Sequence, residues 1–135
     1  MNQRHKIFTW DGRRTAFVLT FLLAFALTEF GRTVYRPFVY RAGLNDFGIA
    51  DTMGNHIGAV AQVFFILAVM NATRQEGLIV IGVVTIGYVG YEFVQRALPG
   101  SVSDPLDAVA SVVGGVLSLT LFILIDRLMR KEQDA

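Results

Sequence analysis

Two groups of acidic, polar and small residues share one spacing and are the chain's clearest candidates for a functional site. Each group begins with an aspartate and continues at i+4, i+7 and i+11, so its members fall on one face of a helix. Both groups belong to a longer pattern, an aspartate followed after six residues by Gly, a small residue and Val. The groups are Asp51-Asn55-Gly58-Gln62 and Asp107-Ser111-Gly114-Ser118.

A second pair of matching segments places a glutamate before an arginine. Glu29 precedes Arg32 by three residues, and Glu92 precedes Arg96 by four, with Gln95 beside it. These acids are candidates for a binding site, since ionisable residues within apolar helices are usually functional. The alternative is an ion pair along one helix, worth a few tenths of a kcal/mol.

One histidine belongs with these candidates. His56 lies about one turn inside the apolar stretch that begins at Asp51, and an imidazole can titrate near neutral pH. A histidine that only pairs with a neighbouring carboxylate is the equally good alternative. Asp107 also has a purely structural alternative. Asp104-Pro105 is typical of a helix N-cap followed by proline, and Asp107 would then be an acid in the first turn of that helix. The predicted ligand-binding residues are Glu29, Arg32, Asp51, Asn55, His56, Glu92, Gln95, Arg96, Asp107 and Ser111.

Covalent and metal chemistry have no signal in the sequence. There is no cysteine, no nucleophile motif, no phosphate-binding loop and no His-Glu metal pattern. We therefore assign no catalytic residue and expect neither a metal nor a cofactor. A net charge of +1 also gives no basic surface for nucleic acid.

Composition indicates the element that must position these residues, a membrane-spanning helix. The 135 residues are 53% hydrophobic and 17% charged, with a mean hydropathy of +0.50. Soluble domains carry about 25% charged residues. Four apolar stretches are long enough to cross a bilayer, at residues 15–30, 51–70, 77–93 and 106–125.

These stretches predict an all-α integral membrane protein, a single membrane domain over residues 1–135. The two matching halves predict two helical hairpins related as a parallel repeat, with the second and fourth helices meeting along their polar faces. In that arrangement Asp51, Asn55 and Gly58 face Asp107 and its group. Glycines in the third helix (Gly82, Gly87 and Gly90) are expected to allow close packing.

The distribution of basic residues predicts the orientation. Eight of the 12 Lys and Arg residues flank one side: Arg4, Lys6, Arg13, Arg14, Arg74, Arg127, Arg130 and Lys131. The positive-inside rule then places both termini in the cytoplasm. Residues 31–50 and 97–105 are expected to be outward-facing loops.

Residues 91–107 (YEFVQRALPGSVSDPLD), with the Gly-containing helix that follows, resemble the signature of the VanZ-like family. Its features here are Glu92, Gln95, a Pro-Gly pair and two aspartates that open a helix. The resemblance implies a small protein of the bacterial cytoplasmic (inner) membrane. Such proteins are sometimes linked to resistance against glycopeptides and lipoglycopeptides such as teicoplanin.

Together these features predict a cell-envelope protein that binds a polar ligand at the outer mouth of the bundle. The expected partners are membrane lipids or a lipid-linked cell-wall precursor, and a homo-oligomer is compatible with the pattern. Arginines would attract phosphate, and acids would orient those arginines or meet cationic groups. The alternatives are a lipid-modifying enzyme using Glu92 with His56, a small transporter or pore, and a structural assembly protein.

Overall fold

A computed structural model describes residues 10–95 and 104–133, with side chains in the second range to residue 130. Every regular element in these residues is helical. The elements are α1 (Gly12–Phe30), a π-helical turn (Gly31–Tyr35), α2 (Arg36–Ala42), α3 (Ile49–Met70), α4 (Arg74–Gln95) and α5 (Pro105–Gln133). Four helical segments are long and apolar enough to span a membrane. The prediction of an all-α, multi-pass membrane protein is confirmed, and the parallel repeat stays a prediction.

The first span is longer than expected, and the prediction of a loop from residue 31 is wrong. α1, the π-helical turn and α2 form one continuous segment of 31 residues, Gly12–Ala42. Pro37 has no N–H to donate, and the wider π-helical turn before it carries the chain past this break. The segment ends at Gly43, whose φ of +61° suits a residue without a Cβ.

Local caps explain where the other helices begin. The Asp104 carboxylate accepts the Leu106 N–H at 2.8 Å, and Pro105 is the first helical residue, so the predicted cap of α5 is confirmed. Asp46 accepts the Ala50 N–H at 2.7 Å at the start of α3. Thr73 and Glu76 form a capping box before α4, in which the Thr73 N–H meets Glu76 at 2.7 Å.

α3 is the central helix of the bundle. It packs against α1, α4 and α5, whereas α1 and α4 do not approach each other within the described residues. The core is aromatic, with the Phe17 ring 5.9 Å from that of Phe64 and 6.0 Å from that of Phe122. Large apolar side chains also point away from the bundle on every span, among them Leu23, Phe65, Ile86 and Val116. Such an outer surface suits hydrocarbon rather than water.

Glycines bring α5 close to two neighbours. A Cβ at position 114 would lie 2.6 Å from the His56 carbonyl oxygen of α3, and one at position 115 would overlap the Thr85 side chain of α4. The expectation for α4 was wrong, because Gly82, Gly87 and Gly90 have no described atom within 4 Å of a would-be Cβ. They face away from the other helices, and close packing of α4 on α5 depends instead on Gly115 of α5 and on Gly77 of α4, where a Cβ would overlap the Phe122 ring.

Candidate polar site where α2, α3 and α5 meet

The polar faces of α3 and α5 meet near the starts of both helices. The Asn55 side chain forms a hydrogen bond with the Asp107 carboxylate, and Asp51 and Asp104 lie close enough to act on Asp107 electrostatically. The predicted contact between the second and fourth spans is therefore confirmed. Asn55 supplies the amide that partly satisfies a carboxylate inside the bundle.

The detailed register differs from the prediction. Gly114 packs on His56 and Ala59 of α3, whereas Gly58 faces Thr28 of α1 at 3.8 Å, so the expected pairing of Gly58 with Gly114 is wrong. Residues three apart on a helix diverge by about 60° around its axis. That angle turns Gly58 from α5 toward α1, although Asn55 still faces α5.

The serines of α5 are satisfied within their own helix. Ser111 and Ser118 are fully buried, and each hydroxyl donates to the carbonyl four residues earlier, Asp107 or Gly114, at 2.8 Å. Because its proton is used in this way, Ser111 can offer a ligand only its oxygen lone pairs. Its main contribution is a small volume that lets α5 pack closely.

α2 contributes two residues that the sequence interpretation missed. Arg36 Nε lies 3.0 Å from Asp51 Oδ1, and the Tyr40 hydroxyl donates to the same oxygen at 2.6 Å. The Arg36 guanidinium also stacks over the Tyr40 ring, 5.5 Å from its centroid. Their i, i+4 spacing was the available signal, but it has meaning only on a helix, and this segment was expected to be a loop.

We define the acidic end cluster as Arg36, Tyr40, Asp51, Asn55, Asp104 and Asp107. It holds three carboxylates and one guanidinium, and that guanidinium is paired with Asp51. Within the described residues no cation forms an ion pair with Asp107. The cluster therefore has an excess of negative charge beside an apolar bundle, where charges act strongly on one another.

Glu29 and Arg32 form the ion pair that was the alternative to a binding role. Arg32 Nη2 donates to Glu29 Oε2 at 2.6 Å, and the side chains are 69% and 39% exposed. Exposed pairs of this kind contribute little to stability, because water screens the two charges. Their charges largely neutralise each other.

The remaining predicted residues are on α3 and at the end of α4. His56 is half-buried, and its imidazole makes no hydrogen bond or ion pair with the described residues. Glu92 is buried, and Gln95 is half-buried. Arg96 lies outside the described residues, so the predicted Glu92–Arg96 pair does too. In the described ranges no three His, Asp or Glu side chains are grouped to hold a metal ion.

A lateral groove of about 350 Å³ opens where α1 and α4 stand apart. One polar contact in its wall joins two helices: the Tyr88 hydroxyl of α4 donates to Gln62 Oε1 of α3 at 2.9 Å. Gln62 therefore faces α4 rather than continuing the polar face of Asn55. The groove is lined by Phe21, Phe25, Thr28, Gly58, Ala61, Gln62, Phe65 and Tyr88.

Comparison of the chain with protein-family models, curated proteins and solved structures finds no match.

Proposed function

We propose that this protein is a cell-envelope membrane protein that binds a polar ligand, such as a lipid headgroup, at the acidic end cluster. The observation that carries the proposal is the Asp107 carboxylate, held by the Asn55 amide with Asp51 and Asp104 nearby. Because the described residues of the cluster include one guanidinium and three carboxylates, a ligand with an ammonium group would relieve their excess negative charge. A zwitterionic headgroup such as phosphoethanolamine has that chemistry.

The lateral groove supports a lipid as the source of the headgroup. Gly58 in the groove wall is three residues from Asn55 in the cluster, and Phe65 lies two turns further along α3. Those two turns correspond to about 10 Å along the helix axis. A ligand whose headgroup meets the cluster therefore has an apolar groove within reach for part of its chain.

The distribution of basic residues and the family resemblance add an orientation and a biological role to the proposal. The excess of Lys and Arg on the other side favours cytoplasmic termini, so the cluster would face outward. The resemblance to VanZ-like proteins implies that the membrane is the bacterial inner membrane. The resemblance of residues 91–107 to VanZ-like proteins extends the ligand class to lipid-linked cell-wall precursors. It also extends the proposed role to glycopeptide or lipoglycopeptide resistance.

The test compares lipid retention by two aspartate variants. Asp107→Asn removes the charge but keeps the shape of the side chain that contacts Asn55. Asp46→Asn is the matched control, because it removes a carboxylate outside the acidic end cluster at the start of α3, and asparagine caps a helix almost as well as aspartate. Each protein is reconstituted with phosphatidylethanolamine or phosphatidylglycerol, and retained lipid is measured by mass spectrometry after mild detergent extraction.

We expect wild type to retain phosphatidylethanolamine preferentially, and Asp107→Asn to lose that preference at unchanged thermal stability. Asp46→Asn should keep most of it. A folded Asp107→Asn variant with the wild-type preference would refute the site. Loss of teicoplanin tolerance in cells that carry Asp107→Asn, but not in those with Asp46→Asn, would support the proposed role in resistance.

A further inference from the structure

The opposite end of the bundle holds a group of arginines around one carboxylate. Asp126 lies 3.3 Å from Arg13, 3.3 Å from Arg130 and 3.7 Å from Arg74. These residues come from the start of α1, the start of α4 and the last turns of α5. We define Arg13, Arg74, Asp126 and Arg130 as the basic end cluster.

Charge and burial within the basic end cluster are unequal. The Asp126 side chain is only 9% exposed, whereas those of Arg74 and Arg130 are each 57% exposed. One carboxylate can neutralise one of three guanidinium groups, which leaves two positive charges in excess. The buried acid thus holds its arginines while their outer donors remain accessible.

The two acids nearest to Arg13 outside the cluster are occupied by helix caps. Asp11 accepts the Arg14 N–H at 2.7 Å. Glu76 accepts both the N–H and the hydroxyl of Thr73 at 2.7 Å. They also attract Arg13 electrostatically.

Arg13 is held in place by two aromatic rings and by Asp126. Its guanidinium lies 5.4 Å from the Phe17 ring centroid and 5.6 Å from that of Phe122. Its Nη2 lies 3.3 Å from Asp126 Oδ1 in the ion pair, and its buried Nε has no hydrogen-bond acceptor within the described residues. Arg13 thus shares the Asp126 carboxylate with the two exposed arginines, whose outer donors stay available to an anion with several oxygens.

From these observations we propose that the basic end cluster binds the phosphate of an anionic phospholipid. A phosphodiester offers oxygens that match the guanidinium fork. A lipid is favoured over a soluble phosphate because Arg74 and Arg130 stand at the ends of their spans, next to outward-facing Leu78 and Leu128. Headgroup phosphates occupy this level of a bilayer. This site is separate from the acidic end cluster and does not depend on its function.

The experiment measures binding of phosphatidylglycerol to the delipidated, detergent-solubilised protein by native mass spectrometry, with phosphatidylcholine as the reference lipid. The variants are Arg74→Gln, Arg130→Gln and Arg130→Lys. Arg127→Gln is the matched control, because it removes the same charge from the same turn of α5. Its side chain is rotated by about 100° from that of Asp126.

We expect Arg74→Gln and Arg130→Gln each to weaken phosphatidylglycerol binding about tenfold or more, as for a charge-assisted hydrogen bond. Arg127→Gln should weaken it no more than roughly fivefold, the nonspecific contribution of one surface charge. Arg130→Lys keeps the charge but loses the fork, so it should weaken binding more than Arg127→Gln does. Thermal unfolding of each variant checks that the fold is intact.

Three results would overturn the proposal. Equal losses in Arg127→Gln and Arg130→Gln would mean that only surface charge matters. Equal binding of phosphatidylglycerol and phosphatidylcholine by wild type would mean that the site does not select an anionic lipid. Displacement of the lipid by millimolar inorganic phosphate would identify a soluble anion as the ligand.

Discussion

Replacing Gly114 with alanine should separate α3 from α5 and loosen the acidic end cluster. The new Cβ would lie 2.6 Å from the His56 carbonyl oxygen and 3.0 Å from the Ala59 Cβ. Ordinary C···O contacts are about 3.3 Å or longer, so α5 must move outward by about 0.7 Å. The obstacle is largely backbone, which cannot rotate away as a side chain can.

The expected cost is a balance of two effects. Overpacking a well-packed site costs about 1–3 kcal/mol, and the higher helix propensity of alanine offsets up to about 1 kcal/mol. We therefore expect Gly114→Ala to lower the free energy of unfolding by about 1–2 kcal/mol. Asp107 lies two turns earlier on the same face, so its hydrogen bond with Asn55 should weaken and ligand retention should fall.

Two other glycines of the bundle serve as graded controls. Gly82→Ala meets no described atom within 4 Å and should be neutral or slightly stabilising. Gly115→Ala meets the Thr85 side chain, whose rotation can relieve part of the overlap, so an intermediate loss is expected. The assay is reversible unfolding in mixed micelles, followed by circular dichroism. A Gly114→Ala variant as stable as Gly82→Ala would refute the packing argument.

Three further predictions follow from the same contacts. Asp126→Asn leaves three arginines around a neutral side chain. It should therefore lower the free energy of unfolding by about 3 kcal/mol, at the low end for a broken buried ion pair. An unchanged melting temperature in zwitterionic detergent would contradict this. The chain has no native cysteine, so pairs of introduced cysteines can be tested without interference. Thr28→Cys with Gly58→Cys should crosslink on oxidation, whereas Gly58→Cys with Gly114→Cys should not. The reverse pattern on a gel would support the pairing of Gly58 with Gly114 that the sequence predicted. Reporter fusions at the C-terminus and near Asn45 should report the cytoplasm and the outside respectively, and exchanged signals would reverse the proposed orientation.

Hydropathy and capping residues predict most of the fold, because both act through neighbours in the sequence. An apolar run of sufficient length is driven into the bilayer whatever its partners are. The Asp104-Pro105 start of α5 likewise depends on bonds within one turn. The span positions and this cap could therefore be predicted. The extension of α1 through residue 42 could not, because Gly31 and Pro37 are usual signs of a helix end.

The candidate site could be predicted only in part for a related reason. Helical periodicity correctly indicated that Asn55 and Asp107 share an interface. Arg36 and Tyr40 were missed because they enter the cluster on a helix that sequence patterns did not indicate. The arginines around Asp126 were visible only as a charge excess on one side of the membrane, since residues 13, 74 and 126 are far apart in the chain.

The sequence by itself determined the class of protein, the number of spans and which residues are costly to expose to lipid, because transfer from water to hydrocarbon depends on each segment's own composition. Tertiary structure decided which polar residues meet. Gly114 lies against the His56 backbone and Gly58 against Thr28, although both belong to the same repeated pattern. A helix offers the same spacing on every face, and only the positions of its neighbours select which face becomes a site.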